Sequence, residues 1–148
     1  MYIDRKGINK NYNKAFELSK QLAEKGIPNA INMLGYCYSN GIGTDDNKQK
    51  AFELYQKAAD LGNSHGMNNL GNCYNNGFKT DISEKKAFEL FQKAANLGNK
   101  LAQCNLAFMY ENGNGVEKNI DQATYWYIKS AEQGHQYAQN KLIELLKN

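Results

Sequence analysis

An interval of 36 residues recurs along the whole chain and leaves it few ways to fold. Gly26, Gly62, Gly98 and Gly134 stand 36 apart, as do Ala15, Ala51, Ala87 and Ala123, and Leu34, Leu70, Leu106 and Leu142. The block Ala15-Phe16-Glu17-Leu18 returns letter for letter at Ala51-Phe52-Glu53-Leu54 and Ala87-Phe88-Glu89-Leu90, and Tyr38, Tyr74 and Tyr110 keep the same register. No insertion or deletion interrupts the series. A period of this kind marks a supersecondary unit that cannot bury its apolar face alone and is stabilised by stacking on its neighbours.

The contents of one period read as two helices. Ala30, Leu34 and Tyr38 fall at i, i+4 and i+8, which lines them along one helical face. This helix, A, is expected to end at Asn40-Gly41, and again at Asn76-Gly77 and Asn112-Gly113, because glycine takes the left-handed conformation that closes a helix. After a short polar loop, Ala51, Leu54, Tyr55, Ala58 and Ala59 mark a second amphipathic helix, B, which Gly62 ends. Its small residues allow close approach of a neighbour. The single proline, Pro28, leaves long helices possible elsewhere. The alanines, glycines and aromatics of the pattern are therefore packing residues. The fold expected is all-α, a solenoid of antiparallel helix pairs with a 36-residue period. Residues 1–148 are read as one repeat domain. It comprises a second helix of a partial repeat at 12–26, full repeats at 27–62, 63–98 and 99–134, and a terminal capping helix at 135–148.

The string Leu34-Gly35, Tyr38, Gly41, Gly43, Ala51, Tyr55, Ala58-Ala59 and Gly62 resembles the Sel-one-like repeat, a relative of the tetratricopeptide repeats. The unit containing Leu106, Tyr110, Gly113-Asn114-Gly115-Val116, Ala123, Trp126-Tyr127 and Ala131-Glu132-Gln133-Gly134 matches best, and the resemblance covers residues from 12 to 148. It departs mildly at Lys79, in place of the second loop glycine, and at Ala107, in place of the glycine after leucine. The resemblance implies a right-handed α-α superhelix and members that act as adaptors or scaffolds for protein complexes. Some secreted members staple each repeat with a disulfide. Here Cys37 and Cys73 occupy equivalent sites of adjacent units, which stack roughly 9 to 10 Å apart, beyond the about 7 Å that a disulfide spans between Cα atoms. Cys104 has no evident mate. Reduced thiols are expected, and with no apolar leader segment in Met1 to Lys10 they suggest a cytosolic chain.

Charge and composition narrow the partners. Lys and Arg number 18 and Asp and Glu 15, giving a net +3 with no dense basic run, so nucleic acid is disfavoured as a ligand. No stretch of about 18 apolar residues exists to enter a membrane. No cysteine or histidine spacing suits a metal, no cofactor motif occurs, and Gly113-Asn114-Gly115 recurs in part as the ordinary loop between helices A and B. Only His65 and His135 titrate near neutrality, and Cys104 with His65 is the one nucleophile pair left open. A non-enzymatic role is expected.

In tetratricopeptide-like arrays helix A lines the concave face. Counting away from the Leu34 and Tyr38 stripe gives Asn29, Asn32, Tyr36 and Ser39 in the first full unit, then His65, Asn68, Asn72 and Asn75. Leu101, Cys104, Phe108 and Glu111 follow, with Tyr137, Asn140 and Glu144 continuing the row. Asparagine carries a donor and an acceptor on a short side chain and can grip the backbone of an extended peptide, while the aromatics supply anchors. The competing reading takes the asparagines as a solvated face reflecting the Asn and Lys bias of the chain. An adaptor for a protein or peptide segment is the first functional reading. The second is a structural subunit or fragment of a larger assembly, joined end to end. Tyr2 and Gly7 stand 36 before Tyr38 and Gly43, so the array starts in mid-hairpin. Leu142, Ile143, Leu145 and Leu146 make an apolar last helix that either caps the array or receives a partner.

Overall fold

The computed structural model describes residues 5–147, so the expectation about Tyr2 lies outside the described residues. Among these residues there are eight α-helices and no strand. They are α1 (Arg5–Glu24), α2 (Pro28–Asn40), α3 (Lys48–Asp60), α4 (Ser64–Asn76), α5 (Glu84–Asn96), α6 (Lys100–Asn112), α7 (Ile120–Glu132) and α8 (Gln136–Leu146). Even-numbered helices are the A helices of the repeat and odd-numbered ones the B helices. The chain divides into two compact units, Met1–Gly66 and Met67–Asn148, with the boundary inside α4.

The ends of the helices are written in the sequence. Asn47, Ser83 and Asn119 cap α3, α5 and α7 by accepting a hydrogen bond from the backbone N–H three residues on. Asn63 and Asn99 do the same for α4 and α6, whereas α2 starts on Pro28 without a side-chain cap. Such caps contribute about 1 kcal/mol each. The B helices close with one repeated device: Gly62 N–H donates to the Ala59 carbonyl and Asn63 N–H to the Ala58 carbonyl, with the same pair of bonds at Gly26-Ile27, Gly98-Asn99 and Gly134-His135. Each of these glycines has positive φ, from 80° to 91°, as this closure requires. The A helices α2 and α6 end on left-handed Gly41 and Gly113, as the spacing predicts.

In the first unit α1 packs on α2 and α2 on α3. Phe16, Ala23, Ile31, Leu34, Cys37 and Ala58 form its core, and the Phe16 and Tyr38 rings meet edge to face at 5.5 Å. In the second unit α5, α6, α7 and α8 pack in succession. Phe91, Leu106 and Met109 centre one cluster and Tyr127, Ala107, Ala123 and Ala138 the next. Burying a side chain the size of Ile31 or Leu106 contributes roughly 1.5 to 3 kcal/mol. Polar groups inside are paired: the fully buried Ser130 hydroxyl donates to the Lys100 carbonyl, and Gln103, 5% exposed, donates to the Ala95 carbonyl.

Close approach within each hairpin explains the small residue after the helix-A leucine. A Cβ on Gly35 would lie 2.9 Å from the Tyr55 ring, and one on Gly71 2.7 Å from Phe91. The start of the chain differs from the expected outline. Helix α1 runs unbroken from Arg5, so Gly7 is helical where its counterparts Gly43 and Gly115 make a left-handed turn in a loop. Those two glycines press their loops onto a preceding B helix, and a Cβ on Gly7 would meet nothing within 4 Å. Without that close approach the segment simply continues the helix. Lys79, the third member of this set, also takes positive φ, at 57°, and is the one non-glycine residue to do so among the described residues.

Candidate functional site

A groove of about 430 Å³ opens in the second unit along the A helices. From α4 it receives Asn68, Asn72 and Asn75, from α6 Leu101, Cys104, Asn105 and Phe108, and from the start of α8 His135 and Tyr137. The spacing i, i+4, i+7 on α4 and i, i+3, i+4, i+7 on α6 places each set on one helical face. Because successive A helices repeat every 36 residues, the same face recurs and the three sets line one depression.

Seven of the residues singled out from the sequence thus come together: Asn68, Asn72, Asn75, Leu101, Cys104, Phe108 and Tyr137. They are not equivalent in exposure. Leu101, Phe108 and Tyr137 are 44%, 40% and 49% exposed and form apolar walls, while Asn72 and Asn75 are half-buried. Asn68 is buried at 4% and its carbonyl oxygen accepts from the Asn105 amide at 2.9 Å. That bond ties α4 to α6, so Asn68 shapes the floor of the groove, and Asn72 and Asn75 are the amides that can reach a ligand. Cys104 also lies in the floor, 4% exposed.

Two expected residues face elsewhere. Glu111 accepts a hydrogen bond from the Tyr127 hydroxyl at 2.7 Å with one oxygen and from Lys141 Nζ at 3.2 Å with the other. It therefore bridges α6 to α7 and α8 inside the packing. Lys141 gains a second carboxylate, Glu144, at 3.4 Å, and although burial opposes its charge, the two carboxylates together raise its pKa above the ordinary lysine value. Asn140 is exposed and accepts from the amide of Gln136, one turn earlier on α8. Asn32, Tyr36 and His65 belong to the first unit, where Asn32 is half-buried and Tyr36 and His65 are exposed.

Asn105 and His135 are groove residues that the sequence reading omits. Asn105 stands one position beyond the chosen stripe and enters through its bond to Asn68, and a stripe one residue wide excludes it. His135 lies just before α8, in the place where Asn63 and Asn99 act as helix caps, and its ring sits 6.4 Å from that of Tyr137.

Cys37, Cys73 and Cys104 are free and buried. Burial pushes the Cys104 thiol up to about 11, against the pull of the Lys141 charge, and pushes Cys73 to about 11 as well. A thiol so placed is a poor nucleophile near neutrality. At pH 8 these two thiols are expected to react with a thiol reagent at least ~100-fold more slowly than in denaturant, the factor that two pKa units set on the thiolate fraction. The same shifts fix the sign of an alkaline effect. Folded pKa values lie above the unfolded value of 9.0, so the stability is complete below pH 9 and declines as pH rises through about 11. Equilibrium unfolding at a series of pH values checks this, and flat stability across that window would refute it. Among the described residues no group of three potential metal ligands occurs, and no helix is long and apolar enough to cross a membrane.

Comparison with known proteins agrees with this architecture. The model of the Sel1 repeat matches residues 1–27, 28–63, 64–99 and 100–135, one residue beyond the unit boundaries read from the glycines. A Sel1 repeat protein from Oxalobacter formigenes shares 28% identity at a TM-score of 0.81, over 92% of this chain and 56% of that one. A protective antigen of uropathogenic Escherichia coli with an SLR fold shares 35% identity at 0.77, over 84% of this chain and 27% of that one. Helicobacter pylori cysteine rich protein B shares 29% identity at 0.66, over 94% and 98%. This chain therefore spans about half of the first of these proteins and about a quarter of the second. No significant match occurs among the curated proteins.

Proposed function

This chain belongs to the Sel1 repeat family, whose members are commonly non-enzymatic scaffolds for protein interactions, and from that membership we propose that it is an adaptor that holds an extended peptide segment of another protein in the groove of its second unit. The observation that carries the proposal is the pairing of half-buried amides with exposed apolar walls in one depression. Asn72 and Asn75 each offer a donor and an acceptor to a peptide backbone. Leu101, Phe108 and Tyr137 offer pockets for alternate side chains, and aromatic anchors carry much of the energy at such surfaces. The Asn68 and Asn105 pair keeps α4 and α6 in place beneath them. Asn32, Tyr36 and His65 of the first unit are proposed as binding residues of that unit by itself. Within this reading the site works in the cytosol without cofactor or metal.

The test is selection of linear peptides from a displayed library against the full chain, followed by affinity measurement on the enriched peptides. Replacing Asn72, Phe108 and Tyr137 together by alanine is expected to weaken binding by at least about 100-fold, since each truncated anchor costs about 1 kcal/mol or more. Circular dichroism should show unchanged helicity, because all three side chains are partly or largely exposed. Tyr36→Ala examines the contribution of the first unit. Undiminished affinity in the triple variant would remove the groove from consideration.

A further inference from the structure

The groove of the second unit carries no charged side chain. None of the nine described residues that line it is Lys, Arg, Asp or Glu, although such residues make up 22% of the chain. A solvated helix face in a chain of this composition carries charge, and the B helices do: Lys48, Lys50, Glu53, Lys57 and Asp60 stand on α3, and five more charged residues on α5. The A helices depart from this pattern. Helix α4 has no Lys, Arg, Asp or Glu at all, and neither does α2. On α6 and α8 the charged residues are Lys100, Glu111, Lys141 and Glu144, and none of them lines the groove. Lys100 is the first residue of α6. The other three meet one another, with Lys141 Nζ 3.2 Å from Glu111 and 3.4 Å from Glu144.

A lining of this kind selects its ligand. A charged side chain entering the groove would leave water and find no opposite charge, and burying an unpaired charge is costly. An uncharged segment gives up only hydration that the Asn72 and Asn75 amides can replace. In return it removes Leu101, Phe108 and Tyr137, each at least 40% exposed, from water. An acidic or basic ligand calls for the other arrangement, a groove of complementary charge.

Resting on the reading of this groove as a peptide site, we propose that the segment of the partner seated in it is an uncharged stretch of chain, free of Lys, Arg, Asp and Glu, with apolar side chains directed at Leu101, Phe108 and Tyr137. The groove then discriminates by excluding charge, and its affinity is insensitive to salt.

The probes are peptides selected from a random displayed library on the full chain and lost by the Asn72, Phe108 and Tyr137 triple alanine variant. An alanine scan of such a peptide marks its seated stretch. That stretch is expected to contain no charged residue. Its dissociation constant should change less than about threefold between about 0.1 M and about 1 M NaCl, over which the screening length falls from about 10 Å to about 3 Å. Glu and Lys placed within the stretch should each bind at least about tenfold more weakly than Gln at the same place, since only the charge then differs in kind. Charged residues recurring in the seated stretch, a loss of about tenfold or more in high salt, or equal affinities for Gln, Glu and Lys would each overturn the exclusion of charge and leave the groove standing as a peptide site. A selection that yields no peptide lost by the triple variant would overturn both readings.

Discussion

Replacing Tyr127 by alanine is expected to remove about 4 kcal/mol of stability, the range for truncating a buried aromatic side chain. Tyr127 is fully buried, and its ring fills the space among Cys104, Ala107, Ala123 and Ala138 where α6, α7 and α8 meet. The buried residues that share its cluster are small, so they have little length with which to fill the cavity. A domain of this size holds roughly 5 to 15 kcal/mol in all, so the variant should lose about a quarter or more of it and unfold on the order of 10 °C lower. Tyr127→Phe separates ring from hydroxyl. It forfeits only the 2.7 Å bond to Glu111, which keeps Lys141 as a partner, and should cost about 1 to 2 kcal/mol. Thermal and urea unfolding of the two variants gives the comparison. If phenylalanine proved as damaging as alanine, the polar bridge and not the packing would dominate at this position.

Gly115→Ala is expected to cost about 3 kcal/mol or more, and the same change at Gly98 only about 1 to 2. Both glycines have positive φ, 68° and 91°, so both substitutions carry the penalty of placing a side chain in the left-handed region. They differ in what the new methyl group meets. At Gly98 it meets nothing within 4 Å, whereas at Gly115 it would lie 2.5 Å from the carbonyl oxygen of Glu84. Backbone atoms in the first turn of a helix cannot swing aside as a side chain can, so either the loop or α5 must shift. Lys79 shows that the dihedral alone is bearable, since it holds φ at 57° with a full side chain at the corresponding loop position. Equal losses at Gly115 and Gly98 would show that the loop yields freely.

Most of the fold could be read from the sequence because one period specified each structural decision several times over. The caps Asn47, Ser83 and Asn119, the closing glycines and the alanine stripe of helix B all lie where the register puts them. The depression was legible to the extent that position determines it: counting residues from Leu34 selects residues of α4 and α6 that line it together. What counting does not supply is depth. Asn68 and Asn72 are one helical turn apart on that face, and only the pairing of Asn68 with Asn105 explains why the first is buried and the second within reach. The same count assigns Glu111 to the groove, but the Tyr127 hydroxyl on α7 and the Lys141 ammonium on α8 draw it inward. Those partners are specific to one unit, and a rule based on what the units share misses them. The start of α1 falls in the same class, since the loop glycine at position 7 depends on a neighbour to close against.

The repeated closure of the B helices bears on how such a chain could change its length in evolution. Gly62-Asn63 and Gly98-Asn99 make the same backbone bonds, and Asn63 and Asn99 then cap the following helix in the same way. Removing residues 64–99 would join Asn63 to Lys100 and create a junction chemically identical to the one between Asn99 and Lys100. Unequal recombination between repeats can therefore shorten or lengthen the gene by one whole unit without generating a new turn, and selection has only the matching of adjacent helix faces left to judge.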